Sequence, residues 1–236
     1  MNFPRDTLFD QPQSVVDFQF DERTVAVFPD MIHRSIPAYA SLLTMTGVIG
    51  ADFVSENGHI YDLGCSLGGV SLSLRRFIPE TARITAVDLS SAMVQRFEQY
   101  IQGAGIPNIQ VIEADITEMP FEKAELMVLN FVLQFIPPEK RDGLLTKLYQ
   151  ALPTGGALLI AEKTRPIHEE ITCWHEAFKR AQGYSEMAIA QKRESLENVM
   201  KTDKVETLEN RLKKAGFSRF FTYFQGLSFQ AWVAIK

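Results

Sequence analysis

A chain of 236 residues, 46% apolar and 22% charged, is long enough to bury one substantial core and has the balance of a soluble globular protein. Its formal net charge of −5 provides no Lys/Arg excess for a phosphate backbone, so direct nucleic-acid binding is not expected; "LRR" at 74–76 and "RLKK" at 211–214 read as solvated helix faces. Two distant cysteines, Cys65 and Cys173, make no disulfide framework, "LMVLNFVLQFI" at 126–136 is too short for a bilayer, and "MNFPRDTLFDQPQ" lacks a basic-then-apolar leader, so a cytosolic protein without a membrane span is expected.

Residues 1–29 show no clear period and read as an arm or short helices. From about Pro29 to Phe53 the apolar residues recur at helical spacing, with Pro37 near a helix start. The pattern then changes. "HIYDLGC" is a strand ending in glycine, "GVSLSLRRFI" a helix, "RITAVDLS" a strand, and "SAMVQRFEQYIQGAG" a helix with a serine cap and a glycine stop. "NIQVIEAD" and "AELMVLNFV" read as strands three and four, "PEKRDGLLTKLYQAL" as an amphipathic helix, and "GALLIAEK" as strand five.

A helical insertion at 165–202 follows, in which Ile167, Ile171, Trp174, Phe178 and Ala181 form one stripe that reads as core. "KVETLENRLKKAGF" is a further helix. "SRFFTYFQ" and "SFQAWVAIK", joined across Gly226-Leu227, close the chain as an antiparallel pair. Strands that are apolar on both faces and alternate with helices predict an α/β fold: a doubly wound, mostly parallel seven-stranded sheet with an antiparallel last strand. The whole of 1–236 reads as one domain, with an N-terminal arm and helix over 1–55.

Such a sheet binds ligands beyond the carboxyl ends of its strands. After strand one stands "DLGCSLG" (62–68), where glycines admit backbone N–H groups close to a ligand. Its spacing, G-x-x-x-G-G, is not the dinucleotide fingerprint G-x-G-x-x-G. Asp88, twenty residues beyond Gly68, can accept both hydroxyls of a ribose, or can cap the helix that follows. Asp115-Ile116 suits an adenine amino group and its apolar face. Asn130 sits in an apolar run, either as a ligand contact or as a satisfied polar group at a strand end.

Together, Asp62-x-Gly64, Asp88, Asp115 and the "LPTGGALLI" hairpin resemble the Rossmann-like S-adenosylmethionine (SAM) methyltransferases in order and spacing. More specific runs, "RDTLF", "FDERTVAVFPDMIHRSIPAY", "YDLGCSLG", "VLNFVLQF", "FKRAQGYSE" and "QKRESLENVM", resemble the carboxy-S-adenosyl-L-methionine synthase family over nearly the whole chain. The resemblance implies an enzyme that consumes SAM and prephenate and yields carboxy-SAM and phenylpyruvate. Prephenate would aromatise with loss of carbon dioxide and its hydroxyl, and the deprotonated SAM methyl would capture the carbon dioxide. The product would serve a separate enzyme in tRNA wobble-uridine modification, and the chain would be a homodimer.

The resemblance also implies site roles. Tyr39 would contact the amino-acid end of SAM, with Gly64, Cys65 and Ser66 beneath it. Asp88 and Leu89 would hold the ribose and adenosine, Asp115 and Ile116 the adenine, and Asn130 a place beside the sulfonium. Arg193 would bind the new carboxylate as the catalytic residue. On its own, Arg193 in "QKRESLEN" reads as a solvated helix residue, but a guanidinium beside a sulfonium makes electrostatic sense only when a carboxylate accompanies it. Cys65 reads as a packed thiol, and His168 and His175 as surface or core residues, not metal ligands. The chain departs from the family pattern at Leu89, where an asparagine is usual, and in "EKTRPIHEE" and "FQGLSFQAWVAIK". Two other readings stay open: a methyltransferase acting on an acidic small molecule, and a non-enzymatic SAM-binding dimerisation module.

Overall fold

The computed structural model describes residues 4–14 and 16–236; residues 1–3 and 15 of the expected arm lie outside the described residues. Strands β1 (His59–Leu63), β2 (Arg83–Asp88), β3 (Ile109–Glu113), β4 (Leu126–Asn130), β5 (Ala157–Lys163), β6 (Arg219–Gly226) and β7 (Phe229–Ile235) form a sheet in the order β3-β2-β1-β4-β5-β7-β6. Neighbours from β3 to β5 pair parallel, and β7 runs antiparallel to both β5 and β6. The expected doubly wound sheet is therefore present. The order in which strands are added reverses between β1 and β4, which opens a crevice beyond their carboxyl ends.

The helices are α1 (Glu22–Ser35), α2 (Tyr39–Ala51), α3 (Gly69–Arg75), α4 (Ser91–Ala104), α5 (Pro138–Ala151), α6 (Glu169–Ala181), α7 (Glu186–Glu197) and α8 (Val205–Ala215). Alternate residues of the central strands feed opposite faces. Tyr61, Leu63, Met127, Leu129, Leu158 and Ile160 pack on Leu144, Leu148, Leu208 and Leu212 of α5 and α8. Ile60, Leu126, Val128 and Leu159 pack on Val70 and Leu74 of α3. Both faces are covered, so β1, β4 and β5 read as near-continuous apolar runs. Edge strand β6 is largely exposed, and its register shifts between Thr222 and Phe224, a bulge of the kind that blunts sheet edges.

Two local expectations are corrected and a third, the arm, is narrowed. The first long helix begins at Glu22, not near Pro29, because the Asp21 carboxylate caps it by accepting the Thr24 N–H at 3.0 Å; Pro29 lies inside the helix. The described part of the arm before Asp21 contains no helix and lies along α7, with the Phe18 N–H donating to the Ser195 carbonyl at 2.9 Å. The stripe through α6 is not core: Trp174 is 58% exposed, and the buried residue of that helix is His175. The helix turns His175 and Lys179, one turn apart, toward the crevice. Among the described residues no helix is long and apolar enough to cross a membrane. Both cysteines are free.

Candidate active site

The crevice is a cavity of about 970 Å³, at the upper end of the range for small-molecule pockets. Its floor is the loop after β1. The Gly64 and Cys65 N–H groups both donate to the Val87 carbonyl, at 2.7 and 2.9 Å, which ties this loop to the end of β2. Gly64 has φ +76° and lies under the Val132 side chain, with which a Cβ would collide.

Ser66 occupies the left-handed region at φ +50°, a conformation that L-residues rarely adopt. Two bonds hold it there. Its N–H donates to Asp88 Oδ2 at 2.8 Å and its hydroxyl to Met93 Sδ at 3.4 Å. Gly68, at φ +81°, faces the Phe97 ring where a Cβ would sit. Gly68→Ala is therefore expected to destabilise the fold by about 2 to 4 kcal/mol, from left-handed strain and overpacking together. A lowered urea midpoint at unchanged slope is the expected reading, and an unchanged midpoint contradicts this packing.

The carboxylates divide by role. Asp62 is buried, and its Oδ2 accepts the Ser71 N–H at 3.0 Å and hydroxyl at 2.6 Å, fastening α3 to β1. Burial pushes its carboxyl up to about 6. Asp88 accepts the Ser90 N–H on Oδ1 at 2.9 Å and the Ser66 N–H on Oδ2. Burial raises it too, against the pull of those bonds. Ser90, not Asp88, is the cap of α4, so Asp88 is left to face the cavity. Leu89 is 70% exposed at the cavity rim. At Asp115 burial is outweighed by the Thr117 N–H and hydroxyl, both at 2.8 Å, and the carboxyl is held low; Ile116 beside it is buried.

Asn130 ends β4 and lines the cavity, and among the described residues its buried Oδ1 has no hydrogen-bond partner. The next turn is fastened from β5. Glu162 accepts the N–H groups of Val132, Leu133 and Gln134 at 3.1, 2.8 and 3.0 Å. Tyr39, at the start of α2, is buried with its phenol raised by burial and by the Asp62 charge. The Cys65 thiol is likewise buried and raised, hence unreactive. Tyr39, Gly64, Cys65, Ser66, Asp88, Leu89, Asp115, Ile116 and Asn130 thus all line one cavity.

A "Methyltransferase domain" family matches residues 60–156. The carboxy-S-adenosyl-L-methionine synthase of Dichelobacter nodosus is 64% identical over 235 residues, 99% of each chain. That of Erwinia tasmaniensis is 50% identical, covering 98% of this chain and 97% of its own. The chain belongs to the carboxy-S-adenosyl-L-methionine synthase family. Solved structures share the fold at low identity. A SAM-dependent methyltransferase of Aquifex aeolicus superposes with a TM-score of 0.62 at 15% identity, over 92% of this chain and 99% of that one. Human N-acetylserotonin methyltransferase gives 0.62 at 19%, over 91% of this chain and 55% of that one.

For this synthase-family chain, one expected residue stands apart. Arg193 does not line the cavity; its side chain is 67% exposed on α7 and pairs with Glu176 at 2.8 Å. Its chain neighbour Lys192 does reach the cavity, as do Lys163, Lys179 and His175. Phe18 and Phe20 of the arm cover the other side, and the Phe20 carbonyl accepts the Ser90 hydroxyl at 2.6 Å. Sequence reasoning missed these residues. A signal existed for Lys163, which sits at the carboxyl end of β5 as Asn130 does on β4, and for the His175/Lys179 pair one helical turn apart.

Proposed function

We propose that this chain converts SAM and prephenate to carboxy-SAM and phenylpyruvate, and that carboxy-SAM then supplies the carboxymethyl group for a tRNA wobble-uridine 5-oxyacetic acid modification made by a separate enzyme. The observation that carries the reading is the 64% identity to a carboxy-S-adenosyl-L-methionine synthase over 99% of both chains. In this reading residues 1–236 work as one SAM-binding unit in the cytoplasm, as a homodimer, without direct contact to nucleic acid.

The roles follow the cavity. Asp88 takes the ribose hydroxyls, and Leu89 covers the adenosine at the rim. Asp115 and Ile116 take the adenine, Gly64, Cys65, Ser66 and Tyr39 the amino-acid end, and Asn130 a place beside the sulfonium. The unpartnered Asn130 Oδ1 suits a cationic neighbour. In the reaction prephenate loses its ring carboxylate as carbon dioxide and its ring hydroxyl as hydroxide, and the ring becomes aromatic. The SAM methyl gives up one proton, which balances the hydroxide as water, and its carbon bonds the carbon dioxide. The protein's share is positioning and exclusion of water, for which the Phe18–Phe20 arm is placed. Arg193, exposed on the outer side of α7, binds the new carboxylate either in its own subunit or across the homodimer.

Mass spectrometry of the ligand extracted from purified protein tests the reading. The expected species is a SAM derivative heavier by one carbon dioxide, formed anew when SAM and prephenate are supplied. Arg193→Ala is expected to lose that conversion while still binding SAM. Methyl transfer to an acidic acceptor, or binding with no turnover, would replace the proposal with one of its two rivals.

A further inference from the structure

Beyond the SAM-contacting end, the cavity has an opposite electrostatic character. Tyr39, Phe131 and Phe229 form an aromatic run away from Asp62, with ring centroids 6.4 and 5.8 Å apart. His175 stacks edge-on against Phe229 at 5.0 Å, and Lys163 Nζ stands 5.9 Å from the same ring. Lys163 at the end of β5, Lys179 on α6 and Lys192 on α7 all open onto this end.

The charges around these lysines do not balance. Lys192 Nζ donates to Ser35 Oγ at 3.0 Å and is 3.8 Å from Asp6 Oδ2. Arg34 of α1 faces it but is matched by Asp30 at 3.0 Å. Glu176 faces Lys163 and Lys179, yet its carboxylate is engaged by Arg193 at 2.8 Å. Glu162, next to Lys163 in sequence, spends its oxygens on the turn after β4. Five cationic side chains thus face three carboxylates. Among the described residues neither Lys163 nor Lys179 makes a hydrogen bond or ion pair through its ammonium. His175 adds no charge: burial pushes it down to about 3, and its Nε2 lies 2.8 Å from the Ser35 carbonyl.

We infer that Lys163, Lys179 and Lys192 form the subsite for the two carboxylates of the cosubstrate, a small dicarboxylic acid whose ring lies along Phe131 and Phe229. This deepens the proposed function and rests on its reading of the cosubstrate as prephenate. Two unmatched positive charges suit a dianion, and ammonium groups from three elements suit carboxylates at two ends of one molecule. The aromatic run suits a six-membered ring. The subsite also keeps the cations away from the sulfonium end, where they would be repelled. Desolvation and mutual repulsion push Lys179 down to about 7 and burial pushes Lys192 to about 8, so an arriving dianion draws a proton onto the cluster near neutral pH.

Calorimetry on the full chain with S-adenosylhomocysteine bound, which has no sulfonium methyl to react, tests this, using prephenate, phenylpyruvate and inorganic phosphate as probes. Prephenate is expected to bind the wild-type protein with proton uptake, measured in two buffers of different ionisation enthalpy. Lys179→Met and Lys163→Met are each expected to weaken it roughly 10- to 100-fold, as for a lost charge-assisted bond. The Lys179→Met variant should also lose the proton uptake, Lys179→Arg should recover the affinity, and SAM affinity should be unchanged in all. If prephenate binds the variants as tightly as wild type, the lysine subsite is wrong while the cosubstrate reading stands. If prephenate fails on wild type but another aromatic dicarboxylate binds in a Lys179-dependent way, the subsite stands and the cosubstrate reading fails. Phosphate binding as well as prephenate overturns the dicarboxylate assignment.

Discussion

Replacing Asp88 with alanine is expected to weaken SAM binding about 10²- to 10⁴-fold. Each carboxylate oxygen can accept about two hydrogen bonds. In Asp88 each already accepts one, from the Ser90 N–H on Oδ1 and the Ser66 N–H on Oδ2. One acceptor position remains on each, and a ribose presents two hydroxyls. Two hydrogen bonds to a charged acceptor are worth about 1.5 to 3 kcal/mol each, which sets the range. Asp88→Ala also frees the Ser66 N–H, so the left-handed turn at Ser66 loses one of its two restraints and the floor of the site loosens.

The conservative variant separates these effects. Asp88→Asn keeps one oxygen but turns an NH₂ toward either Ser66 or Ser90, where a donor already points. Its affinity should fall between wild type and Asp88→Ala, with the thermal transition less affected than the affinity. Because burial raises the Asp88 carboxyl above its ordinary value, SAM affinity should also decline with acidification earlier than an ordinary carboxylate would allow. An Asp88→Ala protein that binds SAM as tightly as wild type would falsify the ribose role.

What the sequence makes legible is what local pattern dictates. The strand ends at Leu63, Asp88, Glu113 and Asn130 are visible because each closes an apolar run, and a doubly wound sheet puts all of them on one side. The glycine turn is visible because nothing bulkier fits under Val132 and beside Phe97. The lysine end is hidden for a different reason: Lys163, Lys179 and Lys192 come from β5, α6 and α7, and only the tertiary arrangement unites them. Even so, helix geometry separates Lys192 from Arg193. In α7 the buried residues include Ala188, Gln191, Lys192 and Ser195, a repeat of three and four. Lys192 falls on that inner face, and Arg193, a further 100° round, falls outside. The start of α1 was legible too, in the Asp21-Glu22 cap, but Pro29 is a louder signal than it deserves in that position.

Glu162→Ala is expected to cost about 3 to 9 kcal/mol, a large part of the 5 to 15 kcal/mol net stability of an ordinary domain. The side chain is buried and holds three successive N–H groups, of Val132, Leu133 and Gln134. With alanine there, three donors lose their partner at about 1 to 3 kcal/mol each. The turn they belong to carries Phe131 and Val132 over Gly64, so what survives folding should bind SAM poorly.

The same carboxyl gives a pH signature whose sign is fixed by its environment. Burial pushes Glu162 up to about 8, against the three N–H groups and the Arg141 charge that favour ionisation. A folded-state value above the unfolded one means that the native protein binds the extra proton. Its contribution to stability is therefore complete below about pH 4.3, the unfolded value, and is lost as the pH rises through about 8. Urea midpoints measured from pH 6 to pH 9 should fall for wild type more steeply than for Glu162→Gln, which cannot ionise at this position. Parallel slopes in the two proteins would remove Glu162 as the source, and a near-wild-type midpoint in Glu162→Ala would remove it as the anchor of the turn.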